Sequence, residues 1–221
     1  MSALSALCMA VSGAAAGAAV HFCAFLCVSG KRNGTPLWQK NAYVVSMLIM
    51  GAVSYVTAPH WTEWPQFGLA LTALLFAQFH ALTDLAEGYI YDWAVVVSVV
   101  AAFILRFALG ARQVVFHVAI GASAGWIPLA LIILITRGGM GWGDANMMGG
   151  IGALLGWRMT LLALYGGFIA GGVAALIMLL SGKAERQDSL PLAPFLALGV
   201  AFSLFWGNYI WVRLNGAPLH F

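Results

Sequence analysis

Residues 114–136 read VVFHVAIGASAGWIPLALIILIT, and they run directly into Arg137-Gly138-Gly139-Met140-Gly141-Trp142-Gly143-Asp144. The first stretch holds no Asp, Glu, Lys or Arg, and it meets the roughly 20 mostly apolar residues that a membrane-crossing helix needs. The second stretch is too rich in glycine to prolong that helix, and it ends on an acid. An apolar span delivered to a glycine turn and a carboxylate is the unit from which the remainder of the chain is read.

The whole chain has the same character. Hydrophobic residues make up 62% of the 221 and charged residues 8%, against about 25% charged in a soluble domain. So few charges cannot cover a surface in water, so the chain belongs in lipid. The expectation is an all-α, polytopic membrane protein of about eight transmembrane helices, forming one transmembrane domain over residues 1–221 with no sizeable soluble part. The net charge is +3 and the ten basic residues are scattered, so no nucleic-acid surface is read. Cys8, Cys23 and Cys27 lie in the first apolar stretch. They are read as small packed hydrophobes, since no Cys or His is placed to complete a zinc shell with them. No Lys or Arg precedes that stretch, so the basic n-region of a signal peptide is missing and a retained first span is expected.

Working outward, spans are expected over about 3–29, 42–58, 66–83 and 93–109 before the opening stretch. A short sixth span follows Asp144, an interruption falls at Trp157-Arg158, and the last two spans cover about 159–180 and 193–212. The loop Pro59-His60-Trp61-Thr62-Glu63-Trp64-Pro65 carries aromatics that suit a membrane interface. With the N-terminus outside, the inner loops hold Lys31, Arg32, Lys40, Arg137, Lys183 and Arg186, and the outer ends hold Arg106, Arg112, Arg158 and Arg213. The positive-inside rule favours this orientation by a small margin. It puts Asp84, Asp92 and Asp144 together at the cytoplasmic face.

Glu63, Glu185 and Asp188 lie in polar loops, whereas Asp84, Glu87, Asp92 and Asp144 sit at the ends of apolar spans. An ionisable group at membrane depth is costly and points to function. The competing reading is capping, with Asp92 and Asp144 accepting the free amides of the helices they precede. Gly138, Gly139, Gly141 and Gly143 weigh against it, because glycine permits positive φ and close approach of another segment. A cap requires neither. Two carboxyls brought close cannot both ionise, so one stays charged to activate a water while the other keeps a proton to give.

Other chemistries find less support. His21, His60, His80, His117 and His220 show no ligand spacing. His80, one turn before Asp84, is read as packed or hydrogen-bonded near a helix end. There is no phosphate loop and no Gly-x-Ser-x-Gly elbow. Gly149-Gly150, Gly166-Gly167 and Gly171-Gly172 read as close helix packing.

Three ordered segments between about 80 and 205 resemble the bacterial type IV prepilin peptidases. Asp84-Leu85-Ala86-Glu87-Gly88-Tyr89-Ile90-Tyr91-Asp92 is similar to their Asp-x7-Asp segment. Gly139-Met140-Gly141-Trp142-Gly143-Asp144-Ala145-Asn146 is similar to Gly-Met-Gly-x-Gly-Asp-x-Lys, and Pro191-Leu192-Ala193-Pro194-Phe195-Leu196-Ala197-Leu198-Gly199 to Pro-x-x-Pro-Phe-Leu-Ala-x-Gly. The resemblance implies an aspartic endopeptidase of the bacterial inner membrane, with no cofactor and no metal. Its substrate would be a prepilin or pseudopilin, cut after a glycine ahead of the apolar helix on the cytoplasmic side. It implies Asp84 and Asp144 as the catalytic pair, with Asp92, Glu87, Gly141 and Gly143 in support and Asn146, Pro191, Pro194 and Phe195 near the substrate.

Three departures stand out. Tyr91 replaces a frequent Pro, and Asn146 replaces a frequent Lys. The loop at 30–41 is short and free of cysteine, where many relatives carry a Cys-x-x-Cys domain and also methylate the new pilin N-terminus. A peptidase without methyltransfer is therefore expected. Tyr91-Asp92 and Gly141-x-Gly143-Asp144 also resemble the presenilin and signal-peptide-peptidase motifs, a reading that pairs Asp92 with Asp144. A non-enzymatic transporter or assembly factor with structural carboxylates is the third possibility.

Overall fold

The computed structural model describes residues 8, 11–20, 23–24, 64–181 and 191–215. The expected second span at 42–58, the loops at 30–41 and 182–188, Cys27 and most of the first span lie outside these residues. The described residues form seven helices and no strand. They are α1 Val11–Val20, α2 Trp64–Glu87, α3 Asp92–Ala108, α4 Val114–Ile135, α5 Trp142–Leu155, α6 Trp157–Leu180 and α7 Ala193–Asn215.

Four of these contain stretches long and apolar enough to cross a membrane: Gln66–Glu87, Val114–Ile135, Trp157–Leu180 and Ala193–Arg213. The expected fourth and sixth spans are shorter, at 17 residues in α3 and 14 in α5. At 1.5 Å per residue α5 measures ~21 Å, well under the ~30 Å hydrocarbon core. The expected short sixth span is thus a helix that cannot cross by itself.

Glycine at positive φ sets the breaks. Gly88, at φ 65, ends α2 with its N–H donating to the Asp84 carbonyl at 2.8 Å. Gly156, at φ 77, separates α5 from α6, one residue before the interruption expected at Trp157-Arg158. Neither conformation suits a side chain.

α5 is the innermost helix. Every residue from Met147 to Leu155 is buried, and the helix packs against α2, α3, α4 and α6. Its crossing with α4 is backbone on backbone. A Cβ on Gly121 would collide with the Gly152 carbonyl, and one on Gly125 with that of Met148. Gly150 is pressed against the Ser98 side chain of α3, and Gly167 against the Leu196 backbone of α7. The close packing expected of these small residues is found there, but Gly172 has nothing within 4 Å of where its Cβ would stand. Cys8 and Cys23, expected to pack, are free and exposed.

Arg106 corrects the charge reading. The positive-inside count treats it as a charge at an outer end, yet it is 3% exposed inside the bundle. Its Nε donates to the Ala153 carbonyl at 3.2 Å and its Nη2 to that of Leu154 at 2.9 Å. The last carbonyls of α5 lack helical partners, so the guanidinium completes that end and complements its partial negative charge.

The α4–α5 register also fixes a depth. With Gly121 opposite Gly152 and Gly125 opposite Met148, the two helices run antiparallel, and Asp144 stands level with about Leu129. α4 continues to Ile135, ~9 Å further along its axis. The turn at 136–141 descends that distance, leaving a recess above the start of α5.

Candidate active site

The recess holds a cavity of about 240 Å³ lined by three carboxylates, Asp84, Asp92 and Asp144, and, among the described residues, by no Lys or Arg. Asp84 arrives on the last turn of α2 and is partly buried. Its Oδ2 accepts the backbone N–H of Ala193 at 3.1 Å, the residue that opens α7. Asp144 is the third residue of α5 and only 9% exposed. Its carboxylate makes no hydrogen bond to any described residue, although its burial alone makes charge expensive there. Burial pushes the Asp144 carboxyl up from 3.8 to about 7, with the neighbouring charge of Asp84 adding to the effect.

Capping is not found at either acid. α3 starts after Tyr91 and α5 after Gly141, and neither start has a side-chain cap. Instead Asp92 is exposed on the cavity wall, where its Oδ1 accepts from Asn146 Nδ2 at 3.2 Å. Asn146 Oδ1 in turn accepts from Trp126 Nε1 at 3.1 Å. Trp126, in the middle of α4, had no role in the sequence reading, because one Trp in an apolar span carries no signal of its own.

The glycine expectation is partly met. Of the turn's glycines only Gly138 has positive φ, at 92, beside Arg137 at φ 54, while Gly141 is extended at φ −74 and Gly143 is helical. Close approach does hold at Gly143, where a Cβ would stand 3.0 Å from that of Ile90. A side chain there would push the α2–α3 hairpin away from Asp144. At Gly141 a Cβ would lie 3.5 Å from Asp144 Oδ2, an ordinary contact.

Other expected residues fall outside the cavity wall. Glu87 accepts from the Tyr91 hydroxyl at 2.8 Å, bracing the hairpin that joins α2 to α3. Pro191, Pro194 and Phe195 do not line the cavity. The Phe195 side chain packs near Gly171 of α6, and among the described residues of this segment it is the Ala193 amide that reaches the site. That amide was not foreseen. His80 is packed, at 1% exposure, and its Nδ1 has no hydrogen-bond partner among the described residues. No group of three His, Cys, Asp or Glu among the described residues is arranged to hold a metal ion.

The fold and the site define a multi-pass helical membrane protein with a recessed, carboxylate-lined cavity at the end of its central helix. Residues 69–176 match the model of the type IV leader peptidase family. Similar proteins include the prepilin leader peptidase/N-methyltransferase of Bacillus subtilis (strain 168), 27% identical over 150 residues, which are 66% of this chain and 60% of that protein. The protein of the same name in Burkholderia pseudomallei (strain 1026b) is 34% identical over 102 residues, 44% of this chain and 33% of its own length. That of Aeromonas salmonicida (strain A449) is 26% identical over 193 residues, 84% of this chain and 65% of its own. Each of these matches spans less than two thirds of the relative. No solved structure gave a significant match.

Proposed function

We propose that this protein is an aspartic endopeptidase that removes the leader of type IV prepilins or prepilin-like proteins, cutting after a glycine at the cytoplasmic face of the inner membrane. The observation that carries the reading is the burial of Asp144 beside Asp84 in one cavity, within the segment that matches the leader peptidase family. Asp84, supported by the Ala193 N–H, acts as the base. It takes a proton from water as the hydroxyl forms its bond to the scissile carbonyl carbon. Asp144, raised to about 7, gives its proton to the carbonyl oxygen. Collapse of the resulting diol breaks the C–N bond: the proton on Asp84 passes to the leaving amine, and one diol hydroxyl returns its proton to the Asp144 carboxylate as the product carbonyl forms. Asp92, exposed and bonded to Asn146, stands outside the pair. The short cysteine-free loop at 30–41 supports a peptidase that does not methylate its product.

Co-expression with candidate prepilins, scored by gel shift, tests the proposal. Asp84→Asn and Asp144→Asn are each expected to cut processing by about 10³-fold or more, and Asp92→Asn to retain it. Normal processing by Asp144→Asn overturns the proposal. Activity that survives Asp84→Asn but not Asp92→Asn transfers the pairing to Asp92. N-methylated pilin made by this protein alone overturns the peptidase-only part.

A further inference from the structure

We infer that Trp126 is a positioning residue, whose indole N–H orients the Asn146 amide so that Asn146 holds Asp92 as a hydrogen-bond acceptor facing the substrate. The inference rests on the leader-peptidase reading of the cavity. Three helices contribute to the chain of bonds: Trp126 Nε1 of α4 donates to Asn146 Oδ1 of α5 at 3.1 Å, and Asn146 Nδ2 donates to Asp92 Oδ1 of α3 at 3.2 Å. An amide side chain reads almost equally well in two orientations, so its neighbours must decide. An indole can only donate, so the Asn146 oxygen must face Trp126 and its NH2 must face Asp92. The opposite orientation sets N–H against N–H on one side and oxygen against oxygen on the other.

Trp126 is itself held in place. Its ring lies against that of Trp142 with centroids 6.1 Å apart, and a Cβ on Gly149 would stand 3.4 Å from its own Cβ. Asn146 and Asp92 both line the cavity, and Asp92 is exposed to it. Asp92 is exposed and bonded to Asn146, whereas Asp144 is buried beside Asp84, so the Trp126–Asn146–Asp92 chain shapes how a substrate is held more than how its bond is cut. The plainer alternative reverses the dependence: Asn146 merely gives the Trp126 N–H an acceptor at membrane depth, where it would otherwise lack one.

Steady-state cleavage of a purified prepilin by detergent-solubilised enzyme separates the two. Trp126→Phe keeps the ring and removes only the donor. It is expected to raise KM by about three- to tenfold and leave kcat within about twofold. Asn146→Ala is expected to do the same, and the double variant to be no worse than Asn146→Ala, since both act through one contact. Should Trp126→Phe fail to accumulate, Asn146→Asp retains an acceptor for the indole and removes the donor to Asp92, and the same rise in KM is expected. Wild-type kinetics in Trp126→Phe or Asn146→Asp, additive effects, or a fall in kcat at unchanged KM overturns the inference. Cleavage by Asp144→Asn in the same assay overturns the reading of the cavity instead, so the two failures are distinguishable.

Discussion

Asp84 Oδ2 accepts the backbone N–H of Ala193 at 3.1 Å, tying the end of α2 to the start of α7 across 109 positions of sequence. Among the described residues, the C-terminal segment thereby meets the site through main chain.

Substitutions at Asp84 distinguish its two duties. Ala193 is fully buried, so its N–H has no access to water if the carboxylate is lost. Asp84→Asn keeps an oxygen to accept it and Asp84→Ala does not, which costs about 1–3 kcal/mol. Both variants are expected to be inactive, with Asp84→Ala melting clearly below Asp84→Asn in the same detergent. Equal melting temperatures would remove the structural duty.

The raised pKa of Asp144 predicts how stability responds to pH. A carboxyl that titrates higher in the folded chain than in the unfolded one stabilises the fold fully below its ordinary value. That contribution is lost as pH rises from about 3.8 to about 7 and is constant above. Thermal melting across this window is expected to show the decline in wild type, while Asp144→Asn, neutral throughout, lacks it. At about pH 8 the variant is then more stable than wild type. Cleavage itself should fall as pH rises through about 7, as the proton donor is lost.

Two glycines give opposite expectations for one substitution. A Cβ at Gly125 strikes the Met148 carbonyl, while one at Gly172 meets nothing within 4 Å. Gly125→Ala must part α4 from α5, at a cost of about 1–3 kcal/mol or more, with Asp144 displaced and folded yield lowered. Gly172→Ala is expected to be neutral or to stabilise α6 by up to about 1 kcal/mol. A Gly125→Ala protein with wild-type stability and activity would rule out this crossing.

Side-chain patterns made part of this arrangement legible. The apolar runs marked α2, α4, α6 and α7, and Asp84, Glu87, Asp92 and Asp144 stand out as acids where acids are costly, with the resemblance alone selecting Asp84 and Asp144 as a pair. What escaped reading was carried by main chain or by ordinary residue types in unusual places. The Ala193 amide has no residue signature. Arg106 near the end of an apolar run looks like a loop cation until α5 is known to end beside it, and Trp126 looks like filler until Asn146 is opposite it. Gly141 and Gly143 failed as predictors of positive φ because the turn is made earlier, at Gly138 and the residue before it, Arg137 at φ 54. Glycine counts in a motif do not say which member bends the chain.

The length of α5 acts as a ruler. Its first turn stands ~9 Å below the end of α4, the rise of about six helical residues. On the proposed function, a substrate helix upright in the same bilayer would meet Asp144 only by surrendering about that many residues of helix, or by riding that much higher. Lengthening α5 by a turn at its Asp144 end would move the cut toward the membrane surface. Where the leader ends would then be decided partly by the enzyme's own geometry and not by the substrate's sequence alone.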